Sequence, residues 1–198
     1  MATFDGTTIA RVRAGVFKDA SDTSFDTLLG TLITTASSQV EKALNAPFKS
    51  ESRVETFTVD DGRRTKFFLD ASPVSSITSI KVDSSGQFTG DEVTLDSTAY
   101  SLEPNEGVVG LRFSPTIGFQ VYRVTYVGGL AADTAALIAA YPSIATAIDM
   151  QVAYLFHMSD RPHVEQESLG GAAIRSSEVG GLCRRAYEVC QSHRRYRF

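Results

Sequence analysis

Apolar positions recur every three or four residues across 24–45: Phe25, Leu28, Leu29, Leu32, Ile33, Ala36, Val40, Ala43 and Leu44. That spacing predicts a long amphipathic helix. Asp22, Thr23 or Ser24 is placed to cap it, and Pro47 blocks its continuation. The opposite face, with Thr31, Thr34, Ser38 and Gln39, is polar and carries little charge. Upstream, Ile9, Val12 and Val16 predict a short helix over 8–17, although Gly15 inside it weakens the pattern.

From Arg53 the period changes to two. Val54, Thr56, Phe57, Thr58 and Val59 are β-branched or aromatic, and the run meets Asp60-Asp61-Gly62 before Lys66-Phe67-Phe68-Leu69. This reads as a hairpin. A strand entered through Pro73 follows, marked by Val74, Ile77, Ile80 and Val82. Short strands are expected at 92–95, 100–102 and 108–113, and an alternating strand over 120–127 ends at Gly128-Gly129. Six or seven such strands predict a compact antiparallel sheet or a small barrel.

Helix returns at 131–140, and Pro142, at a favoured first-turn position, restarts the pattern. Ile144, Ala147, Ile148, Val152, Leu155 and Phe156 form a second stripe that ends near Asp160-Arg161-Pro162. Two long apolar stripes flanking a β segment are buried most simply against each other, with the sheet as an insertion. The expected fold class is therefore α+β: a helical bundle core of two long helices plus shorter ones, an inserted small antiparallel β-sheet or barrel subdomain, and an extended C-terminal arm. The divisions are 1–48 and 130–160 for the helical core, 49–129 for the β subdomain, and 161–198 for linker and arm. Residues 163–181 hold Gly170-Gly171, Ser176-Ser177 and Gly180-Gly181 with no period, which reads as a flexible linker. A short basic helix is expected from Leu182 to about Ser192, with Leu182, Ala186, Val189 and Cys190 on one side.

Composition changes this picture little. At 198 residues the chain is long enough to bury a core without disulfides or metals. It has no run of eighteen apolar residues, so no membrane span, and no basic-then-apolar start that would read as a secretory signal. Cys183 and Cys190, spaced by seven, read as small buried hydrophobes on one helical face. The net charge of −4 is too mild to indicate a nucleic-acid binder. Its distribution says more. Residues 83–106 carry Asp83, Asp91, Glu92, Asp96, Glu103 and Glu106 with no Lys or Arg, whereas 182–198 carry Arg184, Arg185, Arg194, Arg195 and Arg197 against Glu188 alone. These read either as two solvated surfaces or as complementary ends of a subunit that packs head to tail, a contact that closes into a ring when its rotation permits.

No catalytic pattern emerges. His157, His163 and His193 stand in no metal-ligand spacing, and no Gly-x-Ser-x-Gly elbow, His-Glu-x-x-His pair or phosphate-cradling glycine loop is present. Asp60-Asp61 is explained by its turn. Adjacent carboxylates such as Asp91-Glu92 point to opposite faces of a strand. No enzymatic role, cofactor or metal is expected. The basic, aromatic terminus 194–198 suits docking onto a partner that orders it, or weak, salt-sensitive nucleic-acid binding.

The order of the pieces resembles a known family. Val40-Glu41-Lys42-Ala43-Leu44-Asn45-Ala46-Pro47-Phe48 closes the first helix. Leu69-Asp70-Ala71-Ser72-Pro73-Val74-Ser75-Ser76-Ile77 opens a strand, and Val121-Tyr122-Arg123-Val124-Thr125-Tyr126-Val127-Gly128-Gly129 leads into the next helix. Over about 24–160 this is similar to the head–tail connector (adaptor) proteins of tailed bacteriophages, and the Arg194-Arg195-Tyr196 finish is similar to their usual ending. The resemblance implies a ring, commonly a dodecamer, beneath the portal in the capsid–tail neck of a virion assembled in the host cytoplasm. It implies contact with the portal protein and with the next neck or tail-completion protein, and DNA passing through the channel without specific binding. No membrane is involved. Arg184, Arg185, Arg194, Arg195, Tyr196, Arg197 and Phe198 are the portal-docking residues this implies. The competing readings are a stopper or tail-completion ring of the same neck and, from a different class, a soluble nucleic-acid-binding module using its basic tail.

Overall fold

A computed structural model describes residues 4–16, 21–63, 65–160, 166–169, 172–175, 178–179 and 181–194. The chain divides into two units, one built from the residues up to Phe48 and from Asp133 onward, the other from Lys49–Ala132.

The first unit is helical: α1 (Ile9–Val16), α2 (Asp26–Leu44), α3 (Thr134–Ala140), α4 (Pro142–Asp160) and α5 (Arg184–His193). α2 packs on α4, and α5 lies against both. Leu29, Ile33, Ala36, Val40 and Leu44 of α2 are buried, as are Ile144, Ala147, Ile148 and Val152 of α4. Each large side chain so buried contributes roughly 1.5–3 kcal/mol. Leu155 and Phe156, read from the sequence as part of the same stripe, are only half-buried. Gly6 packs closely in this unit: a Cβ there would come within 2.3 Å of the Ile148 side chain, which would have to move to accept it.

Helix ends differ from expectation in their chemistry more than in their place. None of Asp22, Thr23 or Ser24 caps α2: Phe25 occupies that position without a side-chain bond. Asp22 instead accepts the Ser24 N–H at 2.9 Å, and so closes a turn ahead of the helix. At the other end, Asn45 adopts the left-handed conformation (φ 54°) that ends helices without glycine. Asp133 caps α3 by accepting the Ala136 N–H at 2.8 Å. α3 and α4 then bend by 113° about Tyr141, with Pro142 opening α4. Among the described residues no single helix is long and apolar enough to cross a membrane.

Among its described residues the second unit has seven strands: β1 (Glu51–Val59), β2 (Lys66–Phe68), β3 (Val74–Val82), β4 (Val93–Thr94), β5 (Tyr100–Glu103), β6 (Val108–Leu111) and β7 (Gly118–Gly128). They form two antiparallel sheets, ordered β1-β7-β3-β4 and β2-β6-β5. The barrel alternative is therefore corrected: two open sheets share one core instead of closing on each other. Val59, Val74, Ile80, Val121, Val124 and Tyr126 enter that core from the larger sheet, Phe67, Val109 and Leu111 from the smaller. Phe67 joins them, its ring 4.9 Å from Phe57 and 5.1 Å from Tyr122.

The expected hairpin between the first two strands is also corrected. β1 pairs with β7 over nearly its whole length (Glu51↔Gly128 to Phe57↔Tyr122), while β2 pairs with β6. Nine residues of β1 find a matching ladder in the eleven of β7, which three residues of β2 cannot supply. Asp60-Asp61-Gly62 thus carries the chain from one sheet to the other. Gly129 (φ 137°) ends β7 where only glycine fits, since a Cβ would lie 2.2 Å from the Lys49 carbonyl oxygen.

One expectation for 161–198 changes as well. Within the stretch read as linker, β8 (Gln166–Leu169) pairs antiparallel with β9 (Ala172–Arg175), and β10 (Glu178–Val179) with β11 (Leu182–Cys183). The two strands β8 and β9 stand two residues apart in sequence. The short basic helix expected from Leu182 is α5, which lies against α2 and α4 with Leu182, Ala186 and Cys190 buried. Arg161, Pro162, His163 and the terminal Arg195, Tyr196, Arg197 and Phe198 lie outside the described residues.

Candidate assembly surfaces

The helical unit is tied together by polar bonds between segments far apart in sequence. Gln151 of α4 is fully buried. Its amide nitrogen donates to Gln39 Oε1 of α2 at 2.8 Å and to the Gly181 carbonyl at 3.2 Å. Its oxygen accepts the Cys183 N–H at 2.7 Å. One side chain thus fixes the entry to α5 against both long helices, and each of its polar atoms is satisfied. A second tie joins α1 to α4: Arg11 Nε lies 2.6 Å from Asp149 Oδ2, and the Thr7 hydroxyl donates to Asp149 Oδ1 at 2.6 Å. At the far end of α5, His193 Nε2 and the Ser143 hydroxyl lie 2.8 Å apart.

With its apolar side fixed, α5 turns its arginines outward. Arg184 is 73% exposed and meets Glu188 at 3.0 Å, one turn along the helix, a pair this open contributing little. Arg185 and Arg194 are exposed too. Of the seven proposed docking residues, the structure therefore sets Arg184 and Arg185 on the surface of α5 and Arg194 on the surface just past its end. Cys190 is buried, which pushes its thiol up to about 11, too high to supply a thiolate nucleophile near neutral pH. His157 is exposed, its ring in edge contact with Phe156. Among the described residues no group of three or more His, Cys, Asp or Glu is placed to hold a metal.

The β unit offers a different surface. Of the acids in 83–106, Asp83 is buried and accepts from the Ser85 N–H, the Ser85 hydroxyl and the Phe88 N–H, at 2.8, 2.8 and 2.6 Å. These donors, the Ser85 amide first, hold its carboxyl below the usual value. Glu92 receives Lys81 Nζ at 2.9 Å, and that bond is the first cause of its lowered pKa. Asp61 accepts the Arg63 N–H at 3.0 Å, as a turn aspartate does. The acidic run is thus partly spent on shaping loops. Beside them stand apolar side chains that the sequence reading did not single out: Phe119 is 74% exposed, Val93 64% and Ile117 62%. Ile117 precedes β7 and Phe119 is its second residue, so both stand at the start of that strand.

A model of the head completion proteins matches residues 8–196. The chain belongs to the head completion protein family. The resemblance to phage head–tail connector proteins is borne out by that membership. Nothing among the curated proteins matches the chain. Three solved structures share the fold across almost the whole of both chains. A chain in the neck of an empty GTA particle computed with C6 symmetry superposes with a TM-score of 0.63 at 17% identity, covering 98% of this chain and 91% of that one. One in the virion of a native gene transfer agent (GTA) particle gives 0.61 at 14%, with 98% and 91% covered. A third, in the neck of the native GTA particle computed with C12 symmetry, gives 0.61 at 15%, with 96% and 89% covered. The family is one of structural virion proteins, and at these identities the solved chains establish the fold alone.

Proposed function

We propose that the chain is a head–tail connector (adaptor) subunit of the neck, forming a twelve-membered ring under the portal that extends the DNA channel and joins head to tail. The observation that carries this reading is the family match over residues 8–196, which takes in both units and α5. Likeness of fold to chains in necks computed with twelvefold and sixfold symmetry supports it. In this reading Arg184 and Arg185 on α5 and Arg194 just past it, continued by Arg195, Tyr196, Arg197 and Phe198, dock on the portal. Helix α5 is anchored at its base by Gln151 and Leu182, so its arginines are presented with little ordering left to do on binding. An acidic protein suits a channel through which DNA must pass without adhering.

The test mixes purified protein with portal rings and images the product by electron cryomicroscopy, with the Arg184→Glu/Arg185→Glu variant in parallel. Removal of everything after Asp160 is unsuited to the purpose, since it would strip α5 from the helical core. A ring of this chain stacked on the portal, lost in the variant, is the expected result. A ring that binds only a preassembled connector, and never the portal alone, would make the chain a stopper instead.

A further inference from the structure

Helix α5 packs against α2 and α4 through a small and complete set of contacts. Leu182, Ala186 and Cys190 are buried there. At the start of the helix Gln151 accepts the Cys183 N–H at 2.7 Å and donates to the Gly181 carbonyl at 3.2 Å. At its end His193 Nε2 stands 2.8 Å from the Ser143 hydroxyl. Ten residues are too few for a helix to stand alone in water, so α5 forms where the α2–α4 groove receives it. Nothing in these contacts requires groove and helix to belong to the same copy.

The connection is longer than the fold of one copy needs. The chain leaves α4 at Asp160 and returns beside Gln151, nine residues or about 14 Å back along the same helix. About six extended residues would bridge that return. The chain uses residues 161–181, 21 positions. Part of this length lies in β8–β9 and β10–β11, each a two-stranded sheet of its own among the described residues. Even with both hairpins intact the connection can reach about 40 Å, more than the roughly 30 Å across a small domain. The groove of an adjacent copy is therefore within reach of α5.

We infer that α5 is exchanged in the assembled ring, each copy's helix filling the α2–α4 groove of the next. This rests on the ring proposed above. The exchange keeps every contact of the closed chain, and neighbours held side by side present their grooves at an effective concentration comparable to a copy's own. Passed from copy to copy in one direction, it closes on itself in a ring. A free subunit, having no neighbour, keeps its own helix.

The test adds Ser143→Cys and His193→Cys to a Cys183→Ser/Cys190→Ala chain, and applies a short bis-maleimide before and after assembly on portal rings. In the free subunit the link forms within the chain, which runs singly on a denaturing gel. In the ring the same reagent should give a ladder of joined chains, with the single-chain product reduced about tenfold. Mixed rings of two differently tagged chains, one with Ser143→Cys alone and the other with His193→Cys alone, should yield a product carrying both tags. Rings whose chains still run singly, with no doubly tagged product, overturn the inference and leave the proposed function standing. Failure to assemble on the portal counts against the proposed function. The linkage pattern in concentrated protein without portal then decides the exchange, a ladder supporting it and single chains alone overturning it.

Discussion

The two units solve the same problem by different means. The β unit draws on one continuous stretch of chain, and its core is aromatic: Phe67, Tyr122 and Tyr126 are fully buried among Val and Ile. Even its buried phenol is used for bonding, since Tyr126 Oη receives the Ala71 N–H at 3.0 Å and donates to Glu55. The helical unit must gather pieces from both ends of the chain. Its aliphatic core is supplemented by polar ties, Gln151 to Gln39 and Cys183, Asp149 to Arg11 and Thr7, and Gly6 N–H to the Ser37 hydroxyl at 3.0 Å. Apolar packing is non-directional, whereas a buried hydrogen bond tolerates one register. The lesson is that position is specified by polar bonds where the segments are discontinuous, and by packing where they are not.

This contrast can be broken by substitution. The largest effect is expected from Phe67→Ala, which should cost the β unit about 3–5 kcal/mol. Amide exchange should accelerate in β1, β3 and β7 while α2 and α4 keep their protection. Gln151→Leu should cost about 1–3 kcal/mol, because it leaves the half-buried Cys183 N–H and the Gln39 amide without their partner. Exchange should then rise in β11 and α5 and stay unchanged in the β strands. Uniform loss across both units in either variant would show that the contrast is one of description only.

Smaller effects sharpen it. Asp83 has a depressed pKa in the folded chain, so its stabilising bonds are fully present above the ordinary aspartate value of 3.8 and are lost as pH falls through the lower folded one. The Phe88 amide resonance should therefore shift below about pH 4, and should already be shifted at neutral pH in Asp83→Asn. Smallest for stability is Arg184→Glu/Arg185→Glu, expected within about 0.5 kcal/mol of the parent by thermal melting, since both side chains stand in water. Under the proposed function its effect is expected on portal attachment instead, read as loss of the stacked ring.

Periodicity located the elements well. Residues 24–45 became α2 (Asp26–Leu44), the pattern restarting at Pro142 became α4, and the alternation over 120–127 became most of β7. Pairing was less legible. An Asp-Asp-Gly turn after β1 has the local chemistry of a hairpin, but the partner of a strand is set by ladder length and burial elsewhere, and β7 lies about sixty residues away in sequence. Surface roles divided the same way. The arginines of α5 stand out in composition, whereas Gln151 looks like any helical glutamine, and Ile117 and Phe119 like core residues, until burial is known.

The most direct test of the account is an electron cryomicroscopy map of the ring bound to its portal, at a resolution that separates the two units. The account predicts α5 and the residues beyond it at the portal interface. Density showing the β-unit loops on the portal and α5 exposed to solvent would contradict it.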